Sequence, residues 1–202
     1  MKKFTEELGI TGHLTITKKF TDGQEEVVFD DHNIIVSGMG VGLAYMFAGS
    51  GSNSIIDYQI DRFQLGISGP PQGGTTSSIY ELSGALNSES AYGAGSNLFI
   101  AQRDQIKNGI ALPTFAALIP ANKVTRIGNA SVRYTLVIDE EAGNGLLSHT
   151  GSDDADINEA GLLMKNPTGN TDDRPILVAY RTFNNIRKTS DFSLIFRWTL
   201  NF

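Results

Sequence analysis

Polar and apolar residues alternate most regularly at the end of the chain. Phe192, Leu194, Phe196, Trp198, Leu200 and Phe202 occupy every second position, with Ser193, Arg197, Thr199 and Asn201 between them. Strand spacing collects such a set on one face, whereas helical spacing scatters it around a cylinder. At about 1.5–3 kcal/mol per fully buried side chain, that face contributes on the order of 10 kcal/mol before conformational entropy is set against it. The pattern therefore predicts a central strand of a packed sheet. A second strand is predicted where Ala130, Val132, Tyr134, Leu136 and Ile138 share one face and Ser131, Arg133 and Thr135 the other. Near the start, His13-Leu14-Thr15-Ile16-Thr17 alternates, Asp22-Gly23 supplies residues suited to a tight turn, and Val27 and Phe29 resume the alternation, which predicts a β-hairpin. Asn33-Ile34-Ile35-Val36 continues as strand. Ser37 is then placed to cap a helix carrying Leu43, Met46 and Phe47 on one side and closed by Gly49. Arg62 to Gly66, Gly161 to Lys165 and Ile176 to Arg181 are further strand segments, the last apolar enough to lie between two layers.

Between these segments the periodicity fades. Ser50 to Asn53 reads as a flexible connector, and the prolines of Gly69-Pro70-Pro71-Gln72-Gly73-Gly74 stop any element there. The stretch from about 67 to 128 is expected to be a loop-rich excursion with a short helix around Tyr80 to Leu86 and a Gly/Ala/Ser run from Ala91 to Ser96. Residues 1–8 read as an extended N-terminal arm. No repeat of 20–50 residues is visible, which argues against a solenoid or propeller. The expected fold is one domain over residues 1–202, mainly β: an antiparallel β-sandwich, jelly-roll-like, with one or two short helices packed on it.

Composition narrows the chemistry. A chain of 202 residues buries about 70% of the surface its unfolded form exposes, enough to fold without staples. The absence of cysteine removes thiolate catalysis, disulfides and every cysteine-containing metal site. A net charge of −6 with dispersed basic residues disfavours a nucleic-acid partner. The start turns acidic immediately after Lys2 and Lys3, without the apolar core of a secretory signal. The longest apolar-leaning stretch, Ile34 to Ala48, falls short of the roughly 20 residues that span a bilayer and is broken by glycines, so no membrane partner is expected.

Candidate chemistry is sparse. Gly38-Met39-Gly40-Val41-Gly42 imitates a dinucleotide-binding turn, but Leu43 stands where the third glycine belongs, so these glycines read as close packing of the helix on the sheet. His13, His32 and His149 sit far apart, without the His-x-His or His-Glu-x-x-His spacing that would place two nitrogens on one metal, and read as surface or turn residues; no Gly-x-Ser-x-Gly elbow supports a hydrolase. Asp154, Asp156 and Asn158 alternate like the oxygen ligands of a calcium loop, yet the loop's glycine and distal glutamate are out of register; solvated acids or caps are the simpler reading. Asp139-Glu140-Glu141 and Asp172-Asp173 read as exposed turn charges. Among the tyrosines and Trp198 a sugar-stacking platform is conceivable, but Trp198 lies on the core-facing stripe. No catalytic residue, cofactor or enzymatic activity is expected.

The order of the segments resembles a group of small tailed-bacteriophage virion proteins found among tail, neck and head-vertex components. The resemblance is carried by Gly12-His13-Leu14-Thr15-Ile16, by His32-Asn33-Ile34-Ile35-Val36 leading into Gly38 to Gly49, and by Phe63-Gln64-Leu65-Gly66-Ile67-Ser68-Gly69. It resumes at Ile157-Asn158-Glu159-Ala160-Gly161-Leu162, Arg181-Thr182-Phe183 and Lys188-Thr189-Ser190-Asp191, and closes on Phe196-Arg197-Trp198-Thr199-Leu200-Asn201-Phe202. About a third of the chain is covered. It implies a β-rich, non-enzymatic structural protein of the tail, neck or collar, or capsid vertex, made in the host bacterial cytoplasm and fixed in the virion. Its implied partners are copies of itself and other virion proteins. A receptor- or glycan-binding module of a tail or head fibre, touching the host surface, is the alternative. Residues 72–128 are longer than the pattern implies.

Overall fold

The computed structural model describes residues 9–35, 37–48, 58–66, 106–107, 110–111, 117–140, 156–164 and 176–202. These form a mainly antiparallel β structure with one α-helix. In chain order the elements are β1 (Thr11–Phe20), β2 (Glu25–Ile35), α1 (Ser37–Ala48), β3 (Ile60–Gly66), β4 (Ile106–Lys107), β5 (Ile110–Ala111), β6 (Ala117–Leu118), β7 (Val124–Arg126), β8 (Ser131–Ile138), β9 (Ile157–Met164), β10 (Ile176–Ile186) and β11 (Phe192–Asn201). Nine of the strands make one sheet in the order β6-β3-β9-β10-β2-β1-β11-β8-β7, while β4 and β5 pair with each other. The helix expected at Tyr80 to Leu86 and the arm 1–8 lie outside the described residues. Within the stretch expected to be loop-rich, β6 joins β3 and β7 joins β8.

The C-terminal strand sits where its alternation predicts, between β1 and β8. Phe192, Leu194, Phe196, Trp198 and Leu200 are buried. Phe202 departs from the expectation: it is 48% exposed, because the ladder to β1 and β8 ends at Asn201. Ala130 likewise falls outside β8, in an exposed bend. The β1–β2 hairpin turns at Thr21–Gln24, where the Gly23 N–H donates to the Phe20 carbonyl at 2.9 Å and Gly23 takes a φ of 88°, a conformation that favours glycine.

One irregularity in this hairpin changes what faces what. Ile16 pairs with Phe29 but Thr17 pairs with Val27, so Val28 is an extra residue, a β-bulge. Phe29 is buried as expected. Val27 is instead 60% exposed, since the bulge breaks its phase with Phe29, and Val28 packs against the core in its place.

The sheet curls because β2 belongs to both of its halves. Most of β2 pairs with β1, and its last two residues, Ile34 and Ile35, pair with Tyr180 and Ala179 of β10. Beside this short seam, Arg181 of β10 is ion-paired to Asp31 and its guanidinium stands over the Phe29 ring. The inner faces of the two halves meet through aromatic rings. Phe63 of β3 packs edge-on against Phe196 and Trp198 of β11, at centroid distances of 5.4 and 5.7 Å. Phe183 of β10 bridges Phe29 and Phe196.

β10 is buried on both faces over Ile176 to Tyr180, as its unbroken apolar run predicts. On one face Leu177, Tyr180 and Leu163 form a separate cluster. Helix α1 lies on β10 and the end of β9 through its glycines: a Cβ at Gly38 would strike the Leu177 carbonyl of β10, and one at Gly42 would strike the Met164 side chain of β9. The apolar side of the helix differs from the expected one. Met39 is buried and Leu43 and Met46 are half-buried, but Phe47 is 80% exposed.

Candidate functional site

A pocket of about 640 Å3 opens between α1, the start of β3, the segment around β7, and the start of β8. The helix contributes Met39, Leu43 and Met46, β9 contributes Met164, and β8 contributes Val132 and Tyr134. Phe202 forms part of its rim. Three of the chain's four methionines thus line one recess. Unbranched thioether side chains repack easily, which suits a surface that must accept a partner's shape. Polar groups are few: the ends of Tyr58 and Tyr134, Gln59, and Asp61, whose carboxylate is 3.4 Å from Arg62 Nε. Met39 and Tyr134 are inner-face residues of elements predicted from the sequence; their meeting was not, because it depends on how the sheet curls.

Burial raises the Tyr134 hydroxyl to about 12. A phenol that holds its proton longer when folded stabilises the fold fully below its unfolded value near 10 and loses that contribution as pH rises toward 12. The amount at stake is about 2–3 kcal/mol. Tyr180, whose hydroxyl donates to Glu159 Oε2 at 3.0 Å, is shifted upward first by burial and then by that carboxylate. Urea midpoints measured from pH 8 to 11.5 should therefore fall above pH 10, and less steeply in Tyr134→Phe. An identical slope in that variant would show that Tyr134 is not the source.

The solvent face of β2-β1-β11-β8 is a second, polar surface. Its side chains are bonded across strands: Ser131 Oγ to Asn201 Oδ1 at 2.7 Å, Arg197 Nη1 to Thr17 Oγ1 at 3.1 Å, and Thr15 Oγ1 to Asp30 Oδ1 at 2.7 Å. His13 and His32, remote in sequence, are direct cross-strand partners. Asp30 accepts from both His13 and Thr15, and these two hydrogen bonds hold its carboxyl below the usual carboxylate range.

Of the calcium-like residues, the structure describes two. Asp154 lies outside the described residues, and Asp156 accepts from Arg187 Nε at 3.2 Å, a cation already in place. Asn158 is in β9. His149, Glu141, Asp172 and Asp173 also lie outside. Asp139 and Glu140 are half-buried instead of exposed, because Lys188 reaches them: it is 3% exposed and its Nζ donates to the carbonyls of Glu140 and Thr189. Desolvation lowers the Lys188 amine to about 8, against the opposing pull of Glu140, Asp139 and Asp191. Trp198, Tyr58, Tyr134 and Tyr180 are buried and offer no stacking platform. Among the described residues no group of three His, Asp or Glu side chains is gathered as metal ligands, and no helix is long and apolar enough to cross a membrane. No protein family, curated protein or solved structure matches the chain.

Proposed function

We propose that the chain is a non-enzymatic virion subunit, a jelly-roll-like β-sandwich that assembles with copies of itself and with other virion proteins of a tail, neck or capsid vertex. The observation that carries the assembly part is the methionine-lined pocket, with the exposed Phe47 and Phe202 side chains near it. Phe202 lies on its rim, and Phe47, which follows the pocket residue Met46, is 80% exposed. An apolar recess with exposed aromatic side chains near it suits a surface that another chain covers. A second copy offers the same Phe47 beside the same recess, a self-complementary pair suited to symmetric contact. The ordered sequence blocks supply the virion part of the reading. Burial of Trp198 and of the described tyrosine side chains speaks against the sugar-binding alternative.

Light scattering tests this directly. The purified protein should show a discrete oligomer, and Phe47→Asp should shift it to the monomer with stability changed by no more than about 0.5 kcal/mol, as for other exposed positions. A monomeric parent that also fails to join purified virions, or an unchanged mass in Phe47→Asp, would remove the support for this contact. Antibody labelling of particles in electron microscopy should place many copies in a ring or shell; their absence from particles would end the virion reading.

A further inference from the structure

The two histidines of the β1–β2 hairpin are the strongest unassigned chemistry on the polar face. Their ring centres are 5.4 Å apart with planes at 87°. Two imidazoles sharing one tetrahedral ion, with metal–nitrogen distances of about 2.0–2.1 Å, hold their ring centres about 5 Å apart. The separation already present is therefore close to the bound one. One nitrogen of His13 is committed: Nε2 lies 2.7 Å from Asp30 Oδ1. An ionised carboxylate only accepts, so Nε2 carries the proton and the neutral ring presents its lone pair at Nδ1. Asp30 is itself steadied by the Thr15 hydroxyl at 2.7 Å. A carboxylate that takes the far proton of a histidine fixes its tautomer and strengthens the other nitrogen as a ligand.

We propose that His13 Nδ1 and a ring nitrogen of His32 form an open, two-histidine site for a divalent transition-metal ion of the zinc, nickel or copper class. Asp30 is a positioning residue that acts through His13, and water fills the remaining coordination positions. Imidazole ligands suit these ions, and the donor set lacks the several oxygens that calcium or magnesium requires. Access is open, since His32 is exposed and the His13 and Asp30 side chains are 37% and 57% exposed. This inference is independent of the assembly reading.

Calorimetric titration of the full chain with zinc and nickel chlorides should give one ion per chain. His13→Ala and His32→Ala should each abolish binding, His149→Ala should leave it unchanged, and Asp30→Asn should weaken it about 10–100-fold. Far-ultraviolet circular dichroism checks that each variant keeps its strands. Electron paramagnetic resonance of the copper-loaded protein should resolve two coordinated nitrogens, a spectrum that is lost in either single-histidine variant. Binding that survives in the double variant His13→Ala/His32→Ala, no binding by the parent, or a copper spectrum with a single nitrogen would each overturn the proposal. An unchanged affinity in Asp30→Asn would overturn the role given to Asp30.

Discussion

Trp198→Ala should destabilise the protein by about 3–5 kcal/mol, the range for emptying a large aromatic site in a close-packed core. Trp198 is fully buried in β11 and its ring meets Phe63 of β3 edge-on at 5.7 Å, so the cavity would open where the two halves of the sheet touch. Against a typical total of about 5–15 kcal/mol, that loss removes a large share of stability. Trp198→Phe should cost much less. It leaves a ring facing Phe63 and removes an indole N–H that is buried without a hydrogen-bond partner among the described residues. A chain ending at Asp191 should show no cooperative unfolding at all, since β1 and β8 would lose the strand that joins them. Urea titrations followed by tryptophan fluorescence, or circular dichroism for the Trp variants, would decide. A loss below about 1 kcal/mol for Trp198→Ala would mean that β11 is not the centre of the core.

The second large effect is expected at the helix. Gly38→Val places a branched side chain on the Leu177 main-chain carbonyl and the Ile176 side chain, and a backbone in mid-sheet cannot yield. Helix α1 would have to lift from β10, at a cost of about 3 kcal/mol, the upper part of the usual range for overpacking. The other helix glycines make internal controls. Gly42→Ala meets the flexible end of Met164 and should cost less, while Gly40→Ala meets nothing within 4 Å and should stabilise by about 0.5–1 kcal/mol through helix propensity. The order Gly38→Val, Gly42→Ala, Gly40→Ala in unfolding midpoints is the result to look for. Equal midpoints for all three would show that α1 does not rest on β10 as described. Lifting α1 would also remove Met39, Leu43 and Met46 from the pocket, so the assembly proposed above should fail in Gly38→Val even where the protein still folds.

The elements that local alternation dictates were legible: β11 from its aromatic ladder, the hairpin turn from Asp22-Gly23, and β10 from an apolar run with no polar face. What alternation does not carry is the single extra residue. Val28 shifts the hairpin register by one, so that the pairs on either side of it, Thr17 with Val27 and Ile16 with Phe29, no longer share a register. Without that shift His13 would face Asp31; with it, His13 faces His32. The histidine pair was nevertheless within reach of the sequence, since a turn centred on Asp22-Gly23 limits His13 to a neighbour at residue 31 or 32. The pocket was hidden for a different reason. Met39, Tyr134 and Met164 lie on three elements far apart in sequence, and they meet only because β2 passes from one half of the sheet to the other. Phe47 and Phe202 show the remaining limit, since each continues a buried stripe by one step beyond the neighbours that would cover it.

The short junction at Ile34 and Ile35 is also the line along which the two halves of the sheet would open. Five strands on one side and four on the other are joined there by two residue pairs, the Asp31–Arg181 contact and the helix resting on β10. Opening the angle at that line would have to part the Phe63–Phe196 and Phe63–Trp198 ring contacts, so the aromatic core locks a crease that two residue pairs alone would leave loose.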